Sequence, residues 1–129
     1  MSQLNNPGFE IWERVEREII TEKIERQVIP GDQLMMVKLF LKKDAFVGTH
    51  SHPNEQFTYI LSGRILFRYG EDLQYEASVG ANEVLHIPAN LPHNALCLED
   101  AVDLDIFTPP RTDWATAGGN QYLTGVSVT

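Results

Sequence analysis

Between His50 and Gly63 the chain reads HSHPNEQFTYILSG, and this stretch restricts the fold more tightly than any other. Two histidines at i and i+2 share one face when the backbone is extended, because alternate side chains of a strand point the same way. Gln56 lies four residues beyond His52 and keeps that parity. The run Gln56–Leu61 is aromatic and β-branched, as a pleated, half-buried surface requires, and Ser62-Gly63 closes it with a turn signal. Further on, HIPANLPH (residues 86–93) brings His93 out of a proline-rich turn. Three imidazoles and one amide oxygen can then meet inside a small β structure. Nitrogen with one oxygen is a normal donor set for a divalent transition metal.

The rest of the chain fits short strands separated by turns. Leu34–Leu41 is an almost unbroken apolar run. Arg64–Tyr69 alternates, with Ile65, Phe67 and Tyr69 on one side; Gly70-Glu71-Asp72 reads as a hairpin turn, and Leu73–Ala77 returns. Glu83–Ile87, His93–Leu98 and Val102–Phe107 are further strands, with Pro30-Gly31-Asp32 and Glu99-Asp100 as turns. Glu18–Ile29 suits a helix face or a strand, since Ile20, Ile24 and Val28 recur every four residues; its β-branched content favours strand. Turn signals spaced about 8–12 residues apart indicate an all-β sandwich or barrel. Met35-Met36, Phe57, Tyr59 and Phe67 read as core. The expected organisation is one domain. Residues 1–33 form an N-terminal segment of edge or crossover strands, in which Trp12 and Val15 make the first core contacts. Residues 34–114 form the barrel. Residues 115–129 form a flexible surface tail, which Trp114 anchors on the barrel beside a solvated Asp113.

With 129 residues the chain can bury one real core. Its net charge of −8, without basic clusters, argues against nucleic acid or an anionic membrane as partner, but not against a small anion held locally. One cysteine, Cys97, excludes an intrachain disulfide and reads as a small buried hydrophobe. The opening MSQLNNPGFE lacks a basic region followed by an apolar stretch, and no segment has the length and apolarity of a bilayer span. A cytoplasmic protein is the expectation.

Parity gathers further chemistry near the histidines. If His93 points inward, so do Ala95 and Cys97. If Asp105 points inward, Asp103 and Phe107 share its face, while Val102, Leu104 and Ile106 take the other. Asp105 to Trp114 then places a carboxylate, an aromatic and a guanidinium in one short segment. Arg111 can clamp a substrate carboxylate with two parallel hydrogen bonds, or form a structural ion pair with Asp105 that pins the strand end. Glu55 competes with Gln56 as the oxygen donor, but has the wrong parity. His86 reads as a wall or surface histidine.

These residues resemble the two motifs of the cupin superfamily. Gly48, His50, His52, Gln56 and Gly63 match the first, and Gly80, Pro88, Asn90 and His93 the second. Gln56 stands where many cupins carry Glu, and Asn90 where many carry Gly; Asn tolerates the left-handed backbone such a turn needs. The resemblance implies a single-domain cupin, a double-stranded β-helix or jelly-roll barrel, and a homodimer. The segment containing Trp12 and Ile19–Ile29 is then the candidate to cross between copies. The run from Asp105 through Phe107, Pro109 and Arg111 to Trp114 is similar to the C-terminal motif of the KdgF-type subgroup. That subgroup opens 4,5-unsaturated uronates from pectin and alginate breakdown into linear keto acids. By resemblance, His50, His52, Gln56 and His93 hold one divalent metal ion (Ni, Zn, Mn or Fe), Asp105 is the acid/base, Phe107 lines the substrate site and Arg111 clamps the substrate. The alternatives are a metal-dependent oxygenase or lyase acting on a small organic acid, and a cupin that binds a small molecule without catalysis.

Overall fold

The computed structural model describes residues 8–112, 121–125 and 127; Asp113, Trp114 and most of the expected tail lie outside them. Among the described residues the strands are β1 (Glu18–Thr21), β2 (Ile24–Pro30), β3 (Met35–Leu41), β4 (Phe46–His50), β5 (Glu55–Tyr69), β6 (Tyr75–Gly80), β7 (Val84–Ile87) and β8 (His93–Thr108). Short 3-10 turns at Trp12–Arg14 and Gln121–Thr124 flank them.

Two long antiparallel strands, β5 and β8, pair along most of their lengths and form the spine. Near one end, β3 joins β8 through Ala101–Phe107 and β7 joins β5 through Gln56–Tyr59. Near the other, β4 joins β8 through residues 93–96 and β6 joins β5 through Arg64–Tyr69. β2 adds to β3, and β1 to β2, so the N-terminal hairpin extends its own chain's sheet. Two layers thus share both long strands, an arrangement of jelly-roll type. Their inner faces merge into one cluster that includes Ile24, Val37, Ile60, Ile65, Phe67, Val79, Leu85 and Ile87. Each such side chain contributes about 1.5–3 kcal/mol by leaving water.

Several expectations need correction. Ser62-Gly63 does not end its strand. The register shifts between Ile60 and Ile65 instead, and β5 bends across β8. Gly63 permits the crossing: its φ is +84°, and a Cβ there would lie 2.6 Å from Ala101 Cα. Glu99-Asp100 lies inside β8 rather than in a turn. Glu18–Ile29 is strand, as its β-branched content favours, but it is broken into two by a turn at Glu22-Lys23. Phe57 and Tyr59 are exposed, because Gln56 and Thr58 claim the inner face and strict alternation sends their neighbours outward. Trp12 is half-buried, and its carbonyl and that of Val15 accept hydrogen bonds from the Gln27 side chain. Part of the expected surface tail is packed: Tyr122 and Leu123, in the second 3-10 turn, are buried in the core. No helix among the described residues is long and apolar enough to cross a membrane.

Candidate metal centre

His50 ends β4 and faces His93, which begins β8. The register of β4 shifts between Val47 and His50, so both residues are buried despite their odd spacing; a bulge at Gly48-Thr49 re-aims the strand. His52 sits in the loop before β5 rather than on the same strand as His50, which corrects the parity argument for that pair. Backbone bonds fix it there instead. Asn90, left-handed at φ +65°, donates its N–H to His52 O at 2.7 Å and ties the two motif segments together. Asn54, also buried, donates its side-chain amide to Pro109 O and ties that loop to the end of β8.

The three histidines are buried, and one potential ligand atom from each lies within 4.8 Å of the others. Every Nδ1 faces a carbonyl oxygen: His50 to Gly48 at 2.7 Å, His52 to Asn54 at 3.0 Å, His93 to Leu91 at 2.8 Å. A carbonyl only accepts, so each Nδ1 carries the proton and each neutral ring keeps its lone pair on Nε2. Such outer partners orient metal-binding imidazoles generally. Burial is the main force holding the rings neutral. It lowers His50 to about 2, assisted by His93, lowers His52 to about 3, assisted by Arg111 and His93, and lowers His93 to about 4.

Gln56 points into the same space from β5. Its orientation follows from a chain of donors. Thr58 Oγ1 donates to Asp105 Oδ1 at 2.7 Å, and Gln56 Nε2 donates to Thr58 Oγ1 at 2.8 Å. That leaves Gln56 Oε1 turned toward His52 Nε2, 3.1 Å away. Two lone pairs then confront each other in a buried site, since the proton of His52 is on Nδ1 and burial resists a second. A cation between them would resolve the conflict, so the donor set fits a metal ion. Glu55 faces solvent and pairs with His86 at 2.7 Å, and His86 stacks on Phe57 with centroids 4.6 Å apart. Neither joins the cluster.

Asp103, Asp105 and Phe107 share the inner face of β8 and are buried. Desolvation raises both carboxyls. Asp103 is raised further by Asp105, while Asp103, Thr58, Gln56 and Arg111 pull Asp105 back down. Asp103 Oδ1 is a buried oxygen without a hydrogen-bond partner. Arg111 is buried as well. Its guanidinium lies 5.1 Å over the Phe107 ring and 5.5 Å over that of Tyr122, and its charge acts on Asp105 and all three imidazoles. His50, Gln56, His93, Asp105, Phe107 and Arg111 all border one small cavity. Cys97 is buried, and loss of solvent pushes its thiol up to about 11, so it stays unreactive. Sequence reasoning missed Thr58, Asn54 and Tyr122 as parts of the site. Thr58 shares the parity of Gln56 and was findable; the other two depend on contacts between distant segments.

A profile of the cupin domain family matches residues 39–108. An RmlC-like cupin from Shewanella frigidimarina NCIMB 400 is similar in structure, with a TM-score of 0.76 and 26% identity over 83% of this chain and 95% of that one. KdgF from Halomonas sp. is similar at TM-score 0.75 and 22% identity, covering 82% and 96%. Oxalate decarboxylase from Bacillus subtilis is similar at TM-score 0.69 and 20% identity, covering 75% of this chain and 28% of that one. The latter two likenesses bear on the fold alone. A comparison with curated proteins finds no match.

Proposed function

We infer that this chain, which belongs to the cupin domain family, is a metal-dependent enzyme acting on a small anionic sugar derivative, and that it opens unsaturated uronates to their linear keto acids. The observation that carries the reading is the confrontation of Gln56 Oε1 with His52 Nε2 at 3.1 Å, among three neutral imidazoles and beside a buried carboxyl and guanidinium. His50, His52 and His93 with Gln56 as fourth donor would hold one divalent transition ion. Four neutral donors leave it its full charge, so it supplies Lewis acidity toward a carbonyl, enol or carboxylate oxygen.

The chain's own residues account for the rest. Arg111 binds the uronate carboxylate through two parallel hydrogen bonds, and Phe107 supports both the guanidinium and the sugar ring. Thr58 fixes the Asp105 carboxyl by donating to Oδ1. Asp105 takes the proton from the anomeric hydroxyl as the bond between the anomeric carbon and the ring oxygen breaks, and it returns that proton to the alkene carbon of the released enolate, which becomes the ketone. No atom is gained or lost, so no oxidant is needed. Burial suits Asp105 to this exchange, because it raises the carboxyl above its ordinary range. The same reading expects a homodimer, and the exposed Phe57, Tyr59, Leu61 and Val84 on the outer face of β5 and β7 support it.

The test is to incubate metal-loaded protein with unsaturated galacturonate and guluronate monomers and follow the loss of ring-enol absorbance. Acceleration over the spontaneous rate is expected, and Asp105→Asn should keep its metal while losing turnover. No acceleration by the metal-loaded protein would remove the uronate reading.

A further inference from the structure

The C-terminal turn Gln121–Thr124 lies against the candidate centre itself. The Tyr122 ring stacks on His50, with centroids 3.8 Å apart and planes 16° from parallel. The Arg111 guanidinium lies over both Tyr122 and Phe107. Tyr122 and Leu123 both line the cavity, and Leu123 is only 2% exposed. What they leave is a cavity of about 40 Å³. That holds an ion with a water molecule or so, since a water occupies roughly 30 Å³ in the liquid. Pockets for organic ligands run to roughly 300–1,000 Å³. A six-carbon acid does not fit this cavity while the turn is in place.

A larger groove, about 430 Å³, also touches His50, but Glu71 and Asp72 line it and would repel an anion. The space that Tyr122 and Leu123 fill is bordered instead by Arg111, His50 and His93. We propose that the Gln121–Thr124 turn is a built-in plug: it occupies the organic-ligand site over the histidine cluster and must be displaced before a ligand binds. A bare ion fits without displacing it. Eight residues, 113–120, separate Thr112 from Gln121. At about 3.3 Å per residue they can span roughly 25 Å, enough tether for the turn to leave. The proposal rests on the histidine cluster being the ligand site, not on which acid binds there.

Thiol labelling tests it without any activity. In Leu123→Cys the new thiol reports opening of the turn, while native Cys97, 1% exposed, reports opening of the whole core. Under native conditions residue 123 should be labelled at least about tenfold faster than Cys97. Equal rates would overturn the proposal, because the turn would then open only when the fold does. A second variant, Leu123→Asp, should expel the turn and leave the labelling of Cys97 unchanged. Cooperative unfolding of that variant, with Cys97 exposed, would make the turn an integral part of the core and would equally overturn the plug.

Discussion

The two halves of β5 follow opposite rules. Beyond the bend, Ile65 and Phe67 point inward, while Arg68 reaches outward to Glu76 at 3.0 Å. Before the bend, Gln56 and Thr58 are buried, while Phe57 and Tyr59 face out, Phe57 at 45% exposure. β8 repeats the contrast. Ala95 and Cys97 are buried near its start, and Asp103 and Asp105 near its end. The later half of β5 packs as an ordinary apolar core. The earlier half turns its polar groups inward toward the site, where His50 and His93 meet them from the facing layer, and accepts the desolvation that follows. Strand parity holds through both halves; polarity as a guide to burial holds only in the later one.

The contrast can be broken most forcefully with acid. The imidazoles of the site have folded-state pKa values below the ordinary one. Their contribution is therefore present above about pH 6.5 and is lost as pH falls toward about 4, 3 and 2 for His93, His52 and His50. Three protons taken up on unfolding set a ceiling near 4 kcal/mol per pH unit for the metal-free protein. Asp103 and Asp105, raised in the fold, act in the opposite direction and reduce that slope. Urea midpoints at pH 7 and pH 5 measure the balance. A clear fall is expected, because three imidazoles outnumber two carboxyls, and a flat profile would contradict that balance.

In the apolar half of β5, Phe67→Ala should cost about 3–5 kcal/mol by leaving a cavity. A loss under about 1 kcal/mol in a denaturant titration would show that the packing has no such division. Asp103→Asn should instead raise stability by about 1 kcal/mol, because it replaces a buried carboxyl that Asp105 opposes with a neutral donor. A lowered melting temperature would show that Asp103 is held by interactions the paired carboxyls do not explain. Phe57→Ser, on the outer face, should change chain stability by under about 1 kcal/mol while weakening self-association in sedimentation. An unchanged association state would remove this face from any dimer.

The sequence revealed most of this where the period of two operates locally. Ile65 and Phe67, the parity of Asp103, Asp105 and Phe107, and the left-handed turn at Asn90 all follow from neighbours in the chain. What it hid depends on partners far along the chain. Ser62-Gly63 carries the residues of a turn yet forms a bulge, because β8 continues beside it and supplies hydrogen bonds that a reversal would lose. Phe57 and Tyr59 carry the signal of core residues because aromatics usually are buried, and the site at Gln56 and Thr58 displaces them. Tyr122 and Leu123 are a two-residue apolar signal in a small, polar stretch, too short for periodicity to register.

Metal binding tests the central claim most directly. Metal-free protein titrated with cobalt(II) or zinc(II) by calorimetry should bind one ion per chain. Binding should vanish in His50→Ala, weaken in Gln56→Ala and persist in His86→Ala. Wild-type protein that binds no ion, or binding that survives His50→Ala and disappears in His86→Ala, would contradict the proposed site.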